Sequence, residues 1–137
     1  MTTWLADSGP LVALLCADDR HHKWAVEQSK HAPVTVTACD AVISEVLFLL
    51  NRAGHGADNL FALVDAGFLR SNFSFHDEHR RLRDLMRRYR DRPMAFADAC
   101  LVCMTESIPD SCVWTVDRDF EFYRKHGRRS ISLVAPW

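Results

Sequence analysis

The chain has 137 residues, 48% of them hydrophobic, which is enough for one compact unit with a real core and too few for two ordinary domains, so residues 1–137 are read as a single domain. With 17 Lys and Arg against 18 Asp and Glu, bulk charge excludes whole-molecule attraction to nucleic acid or anionic lipid, and any such attraction must be local. No apolar run approaches the roughly 20 residues a bilayer crossing needs, and the 5 cysteines, odd in number and set in apolar stretches, suit reduced thiols in the cytoplasm better than a disulfide framework.

Thr3 to Ala6 is a short apolar run ending at Asp7, after which Ser8-Gly9-Pro10 supplies cap and first-turn residues for a helix through Ala17. No basic residues precede that helix, so it reads as core and not as a signal peptide. A polar helix from about Asp19 to Lys30 follows, and Pro33 opens the β-branched strand Val34 to Thr37. Asp40 is expected to cap the next helix, roughly Ala41 to Ala53, which carries Val42, Val46, Leu49 and Leu50 on one stripe and stops at Gly54. A further helix, about Ala57 to Ala66, ends before Gly67.

Phe68 to Phe75 alternates Phe73 and Phe75 with serines and reads as a strand with one face buried. A strongly basic helix from about Asp77 to Arg90 comes next, and Pro93 separates it from a helix over Met94 to Glu106. Pro109-Asp110 turns the chain into a strand from Cys112 to Val116, ended by Asp117. A short helix around Phe120 to Lys125 stops at Gly127, and Ile131 to Val134 forms the last strand. Strands alternating with helical spans imply a parallel sheet with helices on both faces, because parallel neighbours need crossover connections; the class is α/β.

In such sheets the ligand crevice lies outside the carboxyl ends of the strands. Asp7 and Asp117 end strands, the helix bearing Glu45 leaves a strand's carboxyl end, and the helix bearing Asp98 begins at the same edge. Four acids distant in sequence therefore converge on one rim. Clustered carboxylates repel, so a divalent cation resolves the conflict, and all-oxygen ligands favour Mg²⁺ or Mn²⁺. Asp7, Asp117 and Asp119 also suit plain helix capping. Asp98, among Phe96, Ala97, Ala99 and Cys100, and Glu45, between Ile43 and Val46, sit in apolar surroundings where a buried acid needs a partner.

Leu5-Ala6-Asp7-Ser8, Ile43-Ser44-Glu45-Val46, Phe96-Ala97-Asp98-Ala99 and Trp114-Thr115-Val116-Asp117-Arg118-Asp119-Phe120 resemble, in order, the four acidic motifs of PIN domains. The likeness spans nearly the whole chain and is nearest to VapC-type toxins, the ribonuclease halves of toxin–antitoxin pairs. It implies a three-layer α/β/α fold with about four to five parallel strands. It also implies a Mg²⁺- or Mn²⁺-dependent endoribonuclease, usually a homodimer, restrained by a small antitoxin. By the resemblance Asp7, Glu45, Asp98 and Asp117 are the catalytic quartet, with Asp7, Asp98 and Asp117 as metal ligands and Asp119 as an auxiliary acid. Thr115, two residues before Asp117 on a strand, faces the same side and is expected to orient its carboxylate.

Arg118, Arg124 and Lys125, next to the fourth motif, are the better candidates for RNA contact. The arginine-rich 77–92 helix is read first as a solvated face. Cys100-x-x-Cys103 lies mid-helix without a second pair and reads as core, and His76-Asp77-Glu78-His79 reads as an exposed helix start. Trp4, Trp24 and Trp114 read as packing residues. Two other functions stay open at this stage: a metal-dependent phosphohydrolase acting on DNA or small phosphoesters, and a non-catalytic scaffold binding a structural cation. A receiver-like scaffold needs a late-strand lysine, which Ser130 to Val134 lacks.

Overall fold

The computed structural model describes residues 1–137. In chain order it contains β1 (Thr3–Ala6), α1 (Ser8–Leu15), α2 (His22–Ser29), β2 (Val36–Ala38), α3 (Asp40–Arg52), α4 (Asp58–Asp65) and β3 (Leu69–Ser71). After these come α5 (Phe75–Arg88), α6 (Phe96–Ser107), β4 (Ser111–Trp114), α7 (Asp119–Phe122), the strand pair β5 (Arg124–Lys125) and β6 (Arg129–Ser130), and β7 (Leu133–Val134). Five strands form one sheet in the order β3-β2-β1-β4-β7. All its pairings are parallel, in register Leu5 with Thr37 and Val113, Val36 with Leu69, and Val113 with Leu133. Helices cover both faces, the three-layer α/β/α architecture that the alternation of elements implied. No helix is long and apolar enough to cross a membrane.

The strand order explains where a site can form. The chain runs outward from β1 to β2 and β3 on one side, then returns to β4 on the other, so the order reverses between β1 and β4. Neighbouring loops diverge there and leave a crevice beyond the carboxyl ends of the two strands. Asp7 follows β1, and its backbone N–H donates to Trp114 O at 2.9 Å, which pins it to the end of β4.

The core is continuous through the sheet and α6, whose residues Ala97 to Thr105 are all buried. A helical stretch buried on every side shows no polar stripe, which is why Ala97 to Met104 read as uniformly apolar apart from Asp98. Each Leu or Val side chain so removed from water contributes about 1.5–3 kcal/mol. Trp4 and Trp24 pack against the fully buried Trp114, with ring centroids 5.8 and 6.4 Å apart, as packing residues should.

Three local expectations are corrected. The strand expected over Phe68 to Phe75 is only Leu69–Ser71, because its partner β2 ends at Ala38, in register with Ser71. The serine-phenylalanine alternation after it is instead a helix start: Ser74 Oγ accepts from the Asp77 N–H at 3.2 Å and Phe75 opens α5, exposed. Asp40 does not cap α3. The chain stays extended through Cys39, so Asp40 is already helical; its carboxylate accepts from Ser71 Oγ at 2.6 Å and ties α3 to β3. The segment before β7 holds an unanticipated antiparallel pair, β5 and β6, closed by His126 and Gly127 at φ 51° and 78°. Gly127 adopts that left-handed backbone without strain.

Candidate functional site

The carboxyl rim of β1 and β4 collects five acids. Asp7 is the N-cap of α1 and accepts from the Ser8 N–H at 2.8 Å through one oxygen and from Thr115 Oγ1 at 2.7 Å through the other. Asp98 lies in the first turn of α6, where the helix dipole favours negative charge, and accepts from the Tyr123 hydroxyl at 2.9 Å. Asp117 accepts from the Asp119 N–H at 2.9 Å as the chain turns into α7. Glu45, in the second turn of α3, accepts from Ser8 Oγ at 2.8 Å. Ser8 thus bridges Asp7 and Glu45 through its N–H and its hydroxyl.

Asp98, Asp117 and Asp119 each present an oxygen within 4.8 Å of the other two. The tightest group is therefore not the expected Asp7, Asp98 and Asp117. Asp119 stands in it because the turn after Asp117 folds back on itself, whereas both oxygens of Asp7 are drawn toward Ser8 and Thr115. Asp7 and Asp98 are buried, at 5% and 8% exposure. Glu45 is exposed, contrary to its apolar sequence neighbours, because Val42, Val46 and Leu50 take the core-facing stripe of α3.

Thr115 serves a different acid from the one expected. Its hydroxyl donates to Asp7 and accepts from the Asp117 N–H at 2.9 Å, so it orients the Asp7 carboxylate and holds only the backbone of Asp117. The residue lies just past β4, at the closest approach to the end of β1, and this sets its partner. Close approach continues at Gly9, where a Cβ would collide with Val116 Cγ2. Only a residue without a side chain lets α1 start against the 115–117 segment.

The electrostatics follow from burial and mutual repulsion. Burial pushes the Asp7 carboxyl up to about 6, with Glu45 and Asp117 adding to the rise and the Thr115 and Ser8 hydrogen bonds opposing it. Burial likewise pushes Asp98 up to about 7, helped by Asp7, Asp117 and Glu45 and opposed by the Tyr123 hydroxyl. Burial and the nearby Asp98 charge raise the Tyr123 phenol, which stays a donor. In the absence of a counter-ion the rim therefore relieves its repulsion with protons near neutral pH. Three convergent carboxylates, all oxygen and with no thiol or imidazole among them, fit a hard divalent cation such as Mg²⁺ or Mn²⁺.

Of the three basic residues expected to contact RNA, two have local engagements. Arg118 pairs with Glu121 at 3.3 Å and lies over the Trp137 ring, and Arg124 Nη1 donates to the carbonyls of Glu121, Phe122 and Tyr123. Lys125 lies in the short strand β5. The basic side chain that does touch the site is Arg92, with Nη2 2.9 Å from Asp119 Oδ1. Sequence reasoning missed this residue, Tyr123 and the second role of Ser8. Phe120 and Tyr123, three apart and both buried, signal a core face, but nothing local tells where the hydroxyl points. Cys100 and Cys103 are buried thiols of α6, as expected of core residues. His79 bonds the His76 carbonyl within α5.

A family model described as PIN domain matches residues 5–125. Among solved structures, the chain is similar to the crystal structure of Mycobacterium tuberculosis VapC20, described as a sarcin-ricin loop cleaving toxin. The TM-score is 0.78 at 23% sequence identity, over 93% of this chain and 99% of that one. At that identity the likeness is one of fold. No curated protein matches the chain.

Proposed function

The chain belongs to the PIN-domain family, and from that membership and the acidic rim we propose that it is a divalent-cation-dependent endoribonuclease, the toxin of a toxin–antitoxin pair. The observation that carries the proposal is the convergence of Asp98, Asp117 and Asp119 within 4.8 Å at the switch point of a parallel sheet. In this reading Asp98, Asp117 and Asp119 would hold Mg²⁺ or Mn²⁺, with Asp7 beside them. The bound ion supplies polarisation of the phosphate, activation of water and stabilisation of the leaving oxygen.

The chain's own residues do the rest. Thr115 and Ser8 fix both oxygens of Asp7, so that carboxylate stands without searching rotamers when substrate arrives. Held in that orientation beside the acids that would bind the ion, Asp7 is the carboxylate placed to take up a proton from the attacking water. Tyr123 holds Asp98 in place while its low acidity keeps it a donor throughout. Glu45, linked to Asp7 through Ser8, closes the exposed side of the rim.

The toxin assignment extends the likeness to VapC20 from fold to role, and with it come an RNA substrate, a small antitoxin and a homodimer as proposed partners. Exposed Phe48 on α3 and Phe61 on α4 give a partner protein apolar surface to cover. The test is cleavage of structured RNA by the wild-type chain with Mg²⁺ or Mn²⁺, with EDTA, and by the Asp98→Asn variant. Cleavage should require the ion and fall at least 100-fold in the variant, in the range that loss of one electrostatic stabiliser produces. Undiminished cleavage by Asp98→Asn, or preference for DNA or mononucleotides, would overturn the proposal. Expression in a bacterial host should arrest growth, and the same substitution should relieve the arrest.

A further inference from the structure

Five carboxylates line a rim that, in the proposed function, must admit a polyanion. A divalent ion cancels only part of that charge, so the approaching phosphate still needs a positive group from the chain. Across the whole molecule only one basic side chain lies within ion-pairing distance of any of the five, Arg92 on Asp119. Arg92 sits in the connection between α5 and α6, and its backbone N–H donates to Tyr89 O at 3.0 Å, so the main chain is anchored there. Its guanidinium carbon lies 4.4 Å from the centroid of the Phe122 ring, a cation–π contact that fixes the plane of the fork. Phe122 packs edge-on against Tyr89 and Tyr123, and Tyr123 bonds Asp98. A continuous aromatic ledge thus sets Arg92 in register with the acid cluster.

We propose that Arg92 is the phosphate-binding arm of this site, exchanging its bond to Asp119 for a non-bridging oxygen of the RNA backbone once a divalent cation occupies the acids. The inference rests on the cation-dependent nuclease reading and adds the residue that meets the substrate. Nη2 is the one atom of the guanidinium that is hydrogen-bonded, and it belongs to both of the group's forks, so moving it from Asp119 to phosphate sets up the paired contact that arginine makes with phosphate, Nη2 together with Nε or Nη1. At 55% and 41% side-chain exposure, Arg92 and Asp119 form a half-open pair, held by a factor of at most about five, which an anion can displace. Arg118 and Arg124, by contrast, are already committed to groups within α7 and to Trp137.

The test uses Arg92→Ala and Arg92→Lys in the full chain. Mn²⁺ titration without RNA should show affinity unchanged or up to about fivefold tighter in Arg92→Ala, because a competitor for Asp119 is gone. Fluorescence anisotropy of a labelled single-stranded oligoribonucleotide is then measured with Mn²⁺ present, in an Asp7→Asn background that suppresses cleavage. Loss of one phosphate contact should weaken binding roughly fivefold at 0.1 M salt and make the slope of log affinity against log salt shallower by about 0.7. Arg92→Lys should keep the slope, having kept the charge. An unchanged slope in Arg92→Ala, or weaker Mn²⁺ binding by that variant, would overturn the proposal and leave Arg92 as a structural partner of Asp119. Failure of the wild-type chain to bind Mn²⁺ at all would instead overturn the reading of the site itself, and this inference with it.

Discussion

Replacing Asp98 by Asn should stabilise the cation-free protein while destroying the site. Burial first, and the charges of Asp7, Asp117 and Glu45 after it, push the Asp98 carboxyl up to about 7 from an unfolded value near 3.8. The folded chain therefore holds a proton that the unfolded chain releases between about pH 4 and pH 7. Stability from this group is fully present below pH 4 and is lost as pH rises through 7. Holding this carboxyl at about 7 in place of 3.8 costs the folded state roughly 4 kcal/mol at pH 8, at about 1.4 kcal/mol for each tenfold change in proton affinity. Asp98→Asn, isosteric and still able to accept from Tyr123, escapes that cost. Its advantage should grow by about 2–3 kcal/mol between pH 5 and pH 8, or roughly 6–10 °C in Tm for a domain of this size. Thermal melts in EDTA at the two pH values measure it. A gain that is equal at both, or an Asn variant less stable than wild type at pH 8, would refute the account of Asp98 as a strained buried charge.

The other hydrogen bonds of the rim give separate expectations. Thr115→Val keeps shape but leaves the Asp7 oxygen and the Asp117 N–H without their shared hydroxyl; denaturant melts should show a loss of about 1–3 kcal/mol. Tyr123→Phe keeps the ring packing against Tyr89 and Phe120 but removes the donor to Asp98, so Mn²⁺ affinity at pH 7 should fall about tenfold and its pH midpoint should move up. Gly9→Ala drives a methyl into Val116 Cγ2 and should cost about 1–3 kcal/mol, with recovery in the Gly9→Ala, Val116→Ala double variant measured by the same melts.

How far these residues could be read from sequence depends on which direction of space each one uses. β1 was legible to the residue, because a short apolar run ending in Asp7-Ser8-Gly9-Pro10 leaves little choice of boundary. The meeting of Asp7, Asp98 and Asp117 on one rim followed from topology, since strand ends and helix starts lie at known edges of a parallel sheet. Orientation about an element's axis did not follow. Glu45 has apolar sequence neighbours, yet it faces out because the stripe of α3 is set by Val42, Val46 and Leu50. Thr115 shows the same limit: alternation gives its face, but the distance to the end of β1 makes Asp7 its partner. Arg92 and Tyr123 reach the site from segments 27 and 25 residues from their acidic partners, a separation across which local pattern carries no signal. Phe73 and Phe75 misled because a cap at Ser74 and a half-buried strand share the same alternation.

Anomalous diffraction from crystals soaked in Mn²⁺ addresses the acidic rim most directly. One Mn²⁺ peak should lie among the carboxylates of Asp98, Asp117 and Asp119, beside Asp7, and should vanish in crystals of Asp98→Asn. A peak elsewhere on the chain with none among these acids, or one that survives the substitution, would contradict the assignment of this rim as the metal site of a nuclease.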